Sequence, residues 1–339
     1  MKISLGMKLQ SGPWGGGNQF GVSFAQYLRE QGIEVSFDLK DPNLDIILFT
    51  ASLASAAYTD RDIIRYLTFK NRRALAIYRI NECDERKGTT GVNQRIMQAN
   101  QCADHTVFIS GWLRDLYFQQ GLRPEYFDVL PNGANAEIFN SNGYKKWIGD
   151  GKLKLVTHHW GANLLKGFDI YERLDKMLGE VEWRDIIEFT FIGNVPQGFK
   201  FANSRHLLPQ SGRELADSIR KNHIYLTASQ NEPAGMHHIE GAMCGLPLLY
   251  RESGALPEYC NGFGVSFTEH NFEQKLREMI NTYDHWAGKM KEYPYTSDYM
   301  SEQYYQLCLR LLSRREEILA RRKWSRRLPW LVKTLTNKR

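Results

Sequence analysis

Two glutamates, Glu232 and Glu240, bracket the segment Pro233-Ala234-Gly235-Met236-His237-His238-Ile239, directly after a strand-like run from His223 to Ser229. Pro233 suits the first turn of a helix and Gly235 lets a ligand approach the main chain. The unpaired N–H groups of a helix start favour an anion such as a diphosphate. At ~100° per residue, Met236, Ile239 and Met243 share one helical face, and Glu240 stands ~40° from Met236 on that inward stripe. A carboxylate so placed needs a partner. For either glutamate the alternative is a side chain that merely complements a helix dipole. The surrounding order sharpens the reading: the helix is expected to end at Cys244-Gly245-Leu246-Pro247, followed by the strand Leu248-Leu249-Tyr250 and the turn Ser253-Gly254-Ala255-Leu256-Pro257-Glu258.

Two other places have residue types suited to phosphate. Gly16 and Gly17 lie just before the first expected helix, where small residues let main-chain N–H groups reach an anion; a plain tight turn is the alternative. Lys166 stands before Gly167 and a helical run from Ile170, an apt position for a cationic point charge, although many lysines there are simply solvated.

With Gly15-Gly16-Gly17-Asn18-Gln19, Pro131-Asn132-Gly133, Lys166-Gly167 and the segment from Glu232 to Gly245, nearly the whole chain resembles the family 4 retaining glycosyltransferases. These have the GT-B architecture and carry paired glutamates, separated by seven residues, beside a sugar nucleotide. The resemblance implies that Glu240 binds the ribose hydroxyls, and that Glu232 meets hydroxyls of the donor sugar and stabilises developing positive charge. It also implies that main-chain groups of Ala234, Gly235 and Met236 touch sugar or phosphate, that Gly16, Gly17 and Lys166 meet the diphosphate, and that the base packs near Leu207-Leu208-Pro209. In a front-face retaining reaction the leaving phosphate itself accepts the acceptor's proton, so no enzymic base is obligatory.

The chain departs from the family twice. Where the family has an arginine a few residues before the lysine, this chain reads Thr157-His158-His159-Trp160-Gly161-Ala162-Asn163-Leu164-Leu165-Lys166. His159 donating to phosphate, or Trp160 filling the space, are the two expectations there. The family's histidine after the fourth strand is also missing from Arg79-Ile80-Asn81-Glu82-Cys83-Asp84-Glu85-Arg86-Lys87. Asn81 or Asp84 takes its place, Asp84 being better suited to acid–base work, with a solvated loop as the alternative.

The elements that must hold these residues alternate between strand and helix. Ile3-Ser4-Leu5, a helical run through Phe20, Phe24 and Leu28, and Val35-Ser36-Phe37 open the chain as β-α-β; Ile46-Ile47-Leu48-Phe49, Ala74 to Tyr78, Thr106 to Ile109 and Phe127 to Leu130 continue as buried parallel strands. After the polar patch Asn140 to Gly151 a second series follows, with strands near Leu153–Val156, Phe189–Ile192 and Ile224–Leu226. The expectation is an α/β protein of two doubly wound Rossmann-like domains facing each other across a cleft: an amino-terminal, acceptor-side domain at 1–145 and a donor nucleotide-sugar domain at 146–302. A terminal helix crosses back within 303–339, with Tyr305, Leu309 and Leu312 as its packing face.

At 339 residues the length suits two domains, and no run of apolar residues is long enough to cross a bilayer. The five scattered cysteines lack zinc or disulfide spacings, and the pairs His158-His159 and His237-His238 lack nearby ligands at metal-site spacing, so no metal and no cofactor is expected. Asp60-Arg61-Asp62 imitates a metal-binding acidic motif, but Thr59 and Asp60 before Ile63, Ile64 and Leu67 read as a helix cap. Net charge is +6, and residues 314–339 hold ten Lys or Arg against two Glu. Within them Arg321 to Val332 mixes cations with Trp and Leu, a composition suited to an anionic bilayer; a frayed basic terminus and a nucleic-acid arm are the alternatives, the latter least favoured.

The expected activity is sugar transfer from a nucleoside-diphosphate sugar to a saccharide or lipid-linked saccharide acceptor in cell-surface glycan synthesis, in the cytoplasm, with peripheral docking at the inner membrane face. Alternatives are a sugar-nucleotide epimerase or hydrolase of the same architecture, or a catalytically silent sugar-nucleotide or membrane-binding module. A glycoside hydrolase is disfavoured, since its carboxylates must flank the scissile bond rather than straddle a helix start.

Overall fold

The computed structural model describes residues 1–10, 12, 15–50 and 56–322. Among the described residues twelve strands form two six-stranded sheets, parallel throughout. The first contains β1 (Lys2–Leu5), β2 (Glu34–Ser36), β3 (Ile46–Thr50), β4 (Leu75–Ile80), β5 (His105–Phe108) and β6 (Phe127–Val129), ordered β2-β1-β3-β4-β5-β6. The second contains β7 (Leu153–His159), β8 (Ile187–Gly193), β9 (Arg205–Leu207), β10 (Ile224–Thr227), β11 (Leu248–Arg251) and β12 (Gly264–Phe267), ordered β12-β11-β10-β7-β8-β9. Every residue of β3, β4, β10 and β11 is buried, as expected of parallel strands covered by helices on both faces. Each sheet therefore reverses its winding once, between β1 and β3 and between β7 and β10. Ligands of such sheets bind outside the strands' carboxyl ends at that reversal.

The connections between the sheets run side by side. Ala134 N donates to Tyr295 O at 3.0 Å and Ser297 N to Ala134 O at 2.7 Å. A Cβ on Gly133 would lie 2.0 Å from Thr296 O, so the Pro131-Asn132-Gly133 motif needs its glycine to let these strands of chain meet.

From there the helix Ser297–Ser313, capped by the Thr296 hydroxyl, returns to the first sheet and packs on the helix Gly16–Glu30. The face it buries is Met300, Tyr304, Leu307, Cys308 and Leu311. This corrects the expected face of Tyr305, Leu309 and Leu312: Leu309 is 40% exposed, and Tyr305 and Leu312 are only flanking. The helix starts six residues earlier than expected, and the stripe from Met300 through Tyr304 and Leu307 to Leu311 follows helical spacing against Phe20 and Phe24.

The acidic stretch at 60–62 is a cap. Thr59 and Asp62 form a reciprocal capping box at the start of the helix Asp60–Phe69. The described cysteines are buried and free. Among the described residues no group of three or more His, Cys, Asp and Glu stands where it could hold a metal ion, and no helix is long and apolar enough to cross a membrane.

Candidate functional site

The site assembles where β7 and β10 part. Glu232, 2% exposed, sits in the loop after β10, and Lys166 Nζ meets its Oε2 at 2.5 Å. Backbone geometry brings the two together. Gly167, at φ 100°, passes so close to the end of β10 that a Cβ would lie 2.5 Å from Ala228 Cβ. Gly254, at φ 62°, leaves no room for a Cβ beside Glu232 N, at 2.4 Å, and Ala255 N donates to Glu232 O at 2.8 Å. Only glycine meets both demands at these positions. Asn231, just before Glu232, is a non-glycine residue at positive φ.

Burial works against a charge on Glu232, but Lys166 and then Arg86 outweigh it and lower its pKa to about 2. Glu232 is therefore a carboxylate at any physiological pH and has no proton to give. Burial and the neighbouring Arg86 draw the Lys166 ammonium below its usual range despite the opposing pull of Glu232.

Glu240 lies on the buried face of the helix Met236–Met243 and has the partner its position calls for: His158 Nε2, 2.7 Å from Oε2. Tyr225 Oη accepts from His158 N at 3.1 Å and lies 3.0 Å from His158 Nδ1, so the hydroxyl donates to Nδ1 while Nε2–H donates to Glu240. A His158–Tyr225 relay thus orients the carboxylate from behind. The sequence marked His158 only as half of a histidine pair; strand alternation, which sends His158 and His159 to opposite faces, was the available signal.

His159 accordingly points into the interior, its Nε2 2.8 Å from Tyr171 Oη and its ring 4.6 Å from that of His237. Burial first, and then Lys166, push its pKa well below the ordinary range. This corrects the expectation that it donates to phosphate in the absent arginine's place: it is an uncharged interior side chain already engaged by a tyrosine. Trp160, the other expectation, is 48% exposed.

Asp84 also differs. One oxygen accepts from Thr89 Oγ1 (2.8 Å) and Val92 N (3.1 Å), the other from Asn93 N (2.9 Å). It organises the start of the helix Val92–Ala99, and despite some burial these donors keep its pKa low. A carboxylate committed to a helix start does not serve as the acid or base expected of it. The same loop instead brings the charge of Arg86 to bear on Glu232, and no local pattern in the sequence distinguishes this arginine.

Pro233 and Ala234 are outside the helix, which begins at Met236 with Gly235 as its cap. The amino-terminal domain holds them there: Ser110 Oγ donates to Pro233 O (2.7 Å), and Asn132 Nδ2 donates to Ala234 O (2.8 Å). Asn132 is itself braced by the buried Arg79, whose Nη2 donates to its Oδ1 at 2.7 Å. A Cβ on Gly235 would lie 2.5 Å from His237 Nδ1. Gly16 begins the helix Gly16–Glu30 with Met236 packed so near that a Cβ would lie 2.6 Å from Met236 Cγ, while Gly17 faces the Asn81 amide. Two helix starts, one from each domain, thus meet at the cleft, a doubly favourable place for an anion. Leu208 stands exposed just past the end of β9.

No protein-family model matches the chain, and no curated protein sequence matches it. Solved structures do. Sucrose-phosphate synthase from Thermosynechococcus elongatus superposes with a TM-score of 0.65 at 12% identity, over 92% of this chain and 99% of that one. Anabaena HepE in complex with UDP and glucose gives 0.62 at 13% identity over 91% and 99%. The lipopolysaccharide outer core galactosyltransferase WaaB gives 0.62 at 13% identity over 91% and 99%. What they share with this chain is the fold, the two-domain Rossmann-like GT-B architecture.

Proposed function

We propose that the protein is a retaining glycosyltransferase, similar to family 4, that moves a sugar from a nucleoside-diphosphate donor to a saccharide or lipid-linked saccharide acceptor. The observation that carries this is the pair of buried glutamates at the winding reversal of the second sheet, Glu232 against Lys166 and Glu240 against His158. Anabaena HepE is solved in complex with UDP, with UDP and glucose, and with UDP-glucose, which supports a nucleotide-sugar donor here. In this reading Glu240, aimed by His158, takes the ribose hydroxyls; Glu232 takes hydroxyls of the sugar; Lys166 and the helix starts at Gly16-Gly17 and Gly235-Met236 take the diphosphate.

In the reaction the bond between the anomeric carbon and the diphosphate oxygen breaks. The acceptor oxygen bonds to that carbon on the same face, and the acceptor's proton goes to the departing phosphate. Glu232, ionised and unable to protonate a leaving group, suits charge stabilisation at an oxocarbenium-like centre. The setting proposed is the cytoplasm, with the basic segment beyond Arg322 docking on an anionic membrane surface where a lipid-linked acceptor would lie.

The test is a thermal-shift screen against UDP, GDP, ADP and CMP and their common sugars, followed by NMR of the product formed from the donor that stabilises the protein. We expect one nucleotide series to raise the melting temperature and the product to keep the donor's anomeric configuration. An inverted product removes the retaining mechanism, and free sugar without transfer points to a hydrolase.

A further inference from the structure

Arg86 is contributed by the opposite domain yet its charge acts on both members of the Lys166–Glu232 pair. Burial opposes its charge most strongly, and Glu232 and then Glu82 lead the contributions that together outweigh it. Its Nη1 is 3.2 Å from a Glu82 oxygen, while its Nε is buried and makes no hydrogen bond within the protein. Glu232 is ion-paired with Lys166 and feels the charge of Arg86 as well, Arg86 is itself paired with Glu82, and its buried Nε is left over. Such a group is costly unless a further partner arrives.

The carboxy-terminal domain grips the chain on both sides of this arginine. Asn231 Nδ2 donates to Glu85 O and Asn163 Nδ2 donates to Lys87 O, each at 3.3 Å. Leu165, adjacent to Lys166, packs near Gly88. The residues flanking Arg86 are thus bonded to residues that flank the pair, Asn163 ahead of Lys166 and Asn231 ahead of Glu232, so approach of the domains and delivery of the guanidinium are one event.

We propose that Arg86 is the second cation for the donor diphosphate, supplied across the cleft to act together with Lys166. This rests on the sugar-nucleotide reading above. A guanidinium offers a planar fork to two phosphate oxygens where an ammonium offers a point charge, so Arg86 and Lys166 together fit a diphosphate better than a monophosphate. The clamp is complete only when the domains meet, which ties leaving-group stabilisation to closure.

The experiment measures calorimetric affinity of UDP, GDP and ADP, each against its monophosphate, for the full chain, Arg86→Ala, Arg86→Lys, and the pair Asn163→Ala with Asn231→Ala. In the parent we expect a clear preference for one diphosphate over its monophosphate. Arg86→Ala should lose about tenfold or more of the diphosphate affinity with little change for the monophosphate, Arg86→Lys should regain part, and the asparagine pair, which leaves Arg86 in place but frees its loop, should fall between. A parent that binds none of the nucleotides overturns both the sugar-nucleotide reading and this one. A parent that prefers a diphosphate, with the preference unchanged in folded Arg86→Lys and in the asparagine pair, overturns the role of Arg86 alone.

Discussion

At the residue scale each glutamate has its own electrostatic setting. Removing Glu240 leaves the His158 Nε2–H without its acceptor and removes the carboxylate proposed to hold ribose. Glu240→Ala should therefore weaken nucleotide affinity by ~1–3 kcal/mol, and Lys166→Ala should slow transfer by a similar amount; unchanged affinity and rate in both would remove the assignment. His238 makes a separate prediction. It is wholly buried, neither ring nitrogen bonds within the protein, and burial above all lowers its pKa to about 4 from 6.5. Between pH 6.5 and about 4 the unfolded chain binds a proton that the folded site refuses, so this contribution to stability is intact above pH 6.5, declines as pH falls, and levels off near 4. Urea unfolding at pH 5 and 7.5 should show a smaller difference in stability for His238→Leu than for the parent. An identical difference would mean that other groups carry the acid sensitivity.

At the element scale, loops rather than helices decide where the charges sit. The turn after β11 supports Glu232 through Ala255 N, and Gly254 passes against the glutamate's own main chain at positive φ. An alanine there must adopt a left-handed conformation at ~1–2 kcal/mol and meet Glu232 N besides. Gly254→Ala is expected to lower the melting temperature and to cut nucleotide affinity together; a variant that melts earlier but binds normally would show that Glu232 does not depend on this turn. The same principle explains Asp84 and Pro233. Both have residue types suited to a site, yet one is used to start a helix and the other is kept out of a helix by Ser110 from across the cleft.

For the molecule as a whole, the two domains are tied by contacts around the cleft. The Glu258 carboxylate accepts from Gly111 N at 2.7 Å and Trp112 N at 2.5 Å, at the start of the helix Gly111–Gln119, and Tyr259 Oη donates to Ile109 O at 2.7 Å. The strand-to-helix turn Ser110-Gly111-Trp112 is thus an interdomain clasp. The basic carboxy-terminal stretch divides in two. Arg315 pairs with Asp45 at 2.6 Å, Arg321 with Glu317 at 3.2 Å, and the buried Arg322 with Asp104 at 2.6 Å and with the carbonyls of Arg72 and Ala74. Arg315 and Arg322 tie the stretch up to residue 322 to the first domain, which corrects the inclusion of the buried Arg322 in a membrane-facing segment. Residues 323–339 lie outside the described residues. A protein ending at Arg322 should keep its melting temperature and lose salt-sensitive binding to vesicles of anionic lipid; equal binding by the shortened chain would end the membrane proposal.

The architecture is legible along the chain, because buried parallel strands must be continuous apolar runs and their alternation with amphipathic helices admits few windings. The sequence also marked Glu232, Glu240 and Lys166, whose types and spacing stand out in a single local stretch or beside a glycine. Tertiary structure alone decided their partners. His158 and Glu240 are 82 residues apart and Lys166 and Glu232 are 66 apart, while the bond from Asn231 to the loop carrying Arg86 spans 146. No local periodicity reports such separations. Whether a histidine is a cation or a neutral core residue, and whether an aspartate serves a site or a helix start, depends on burial and on donors brought by distant chain, so those assignments belong to the packed molecule.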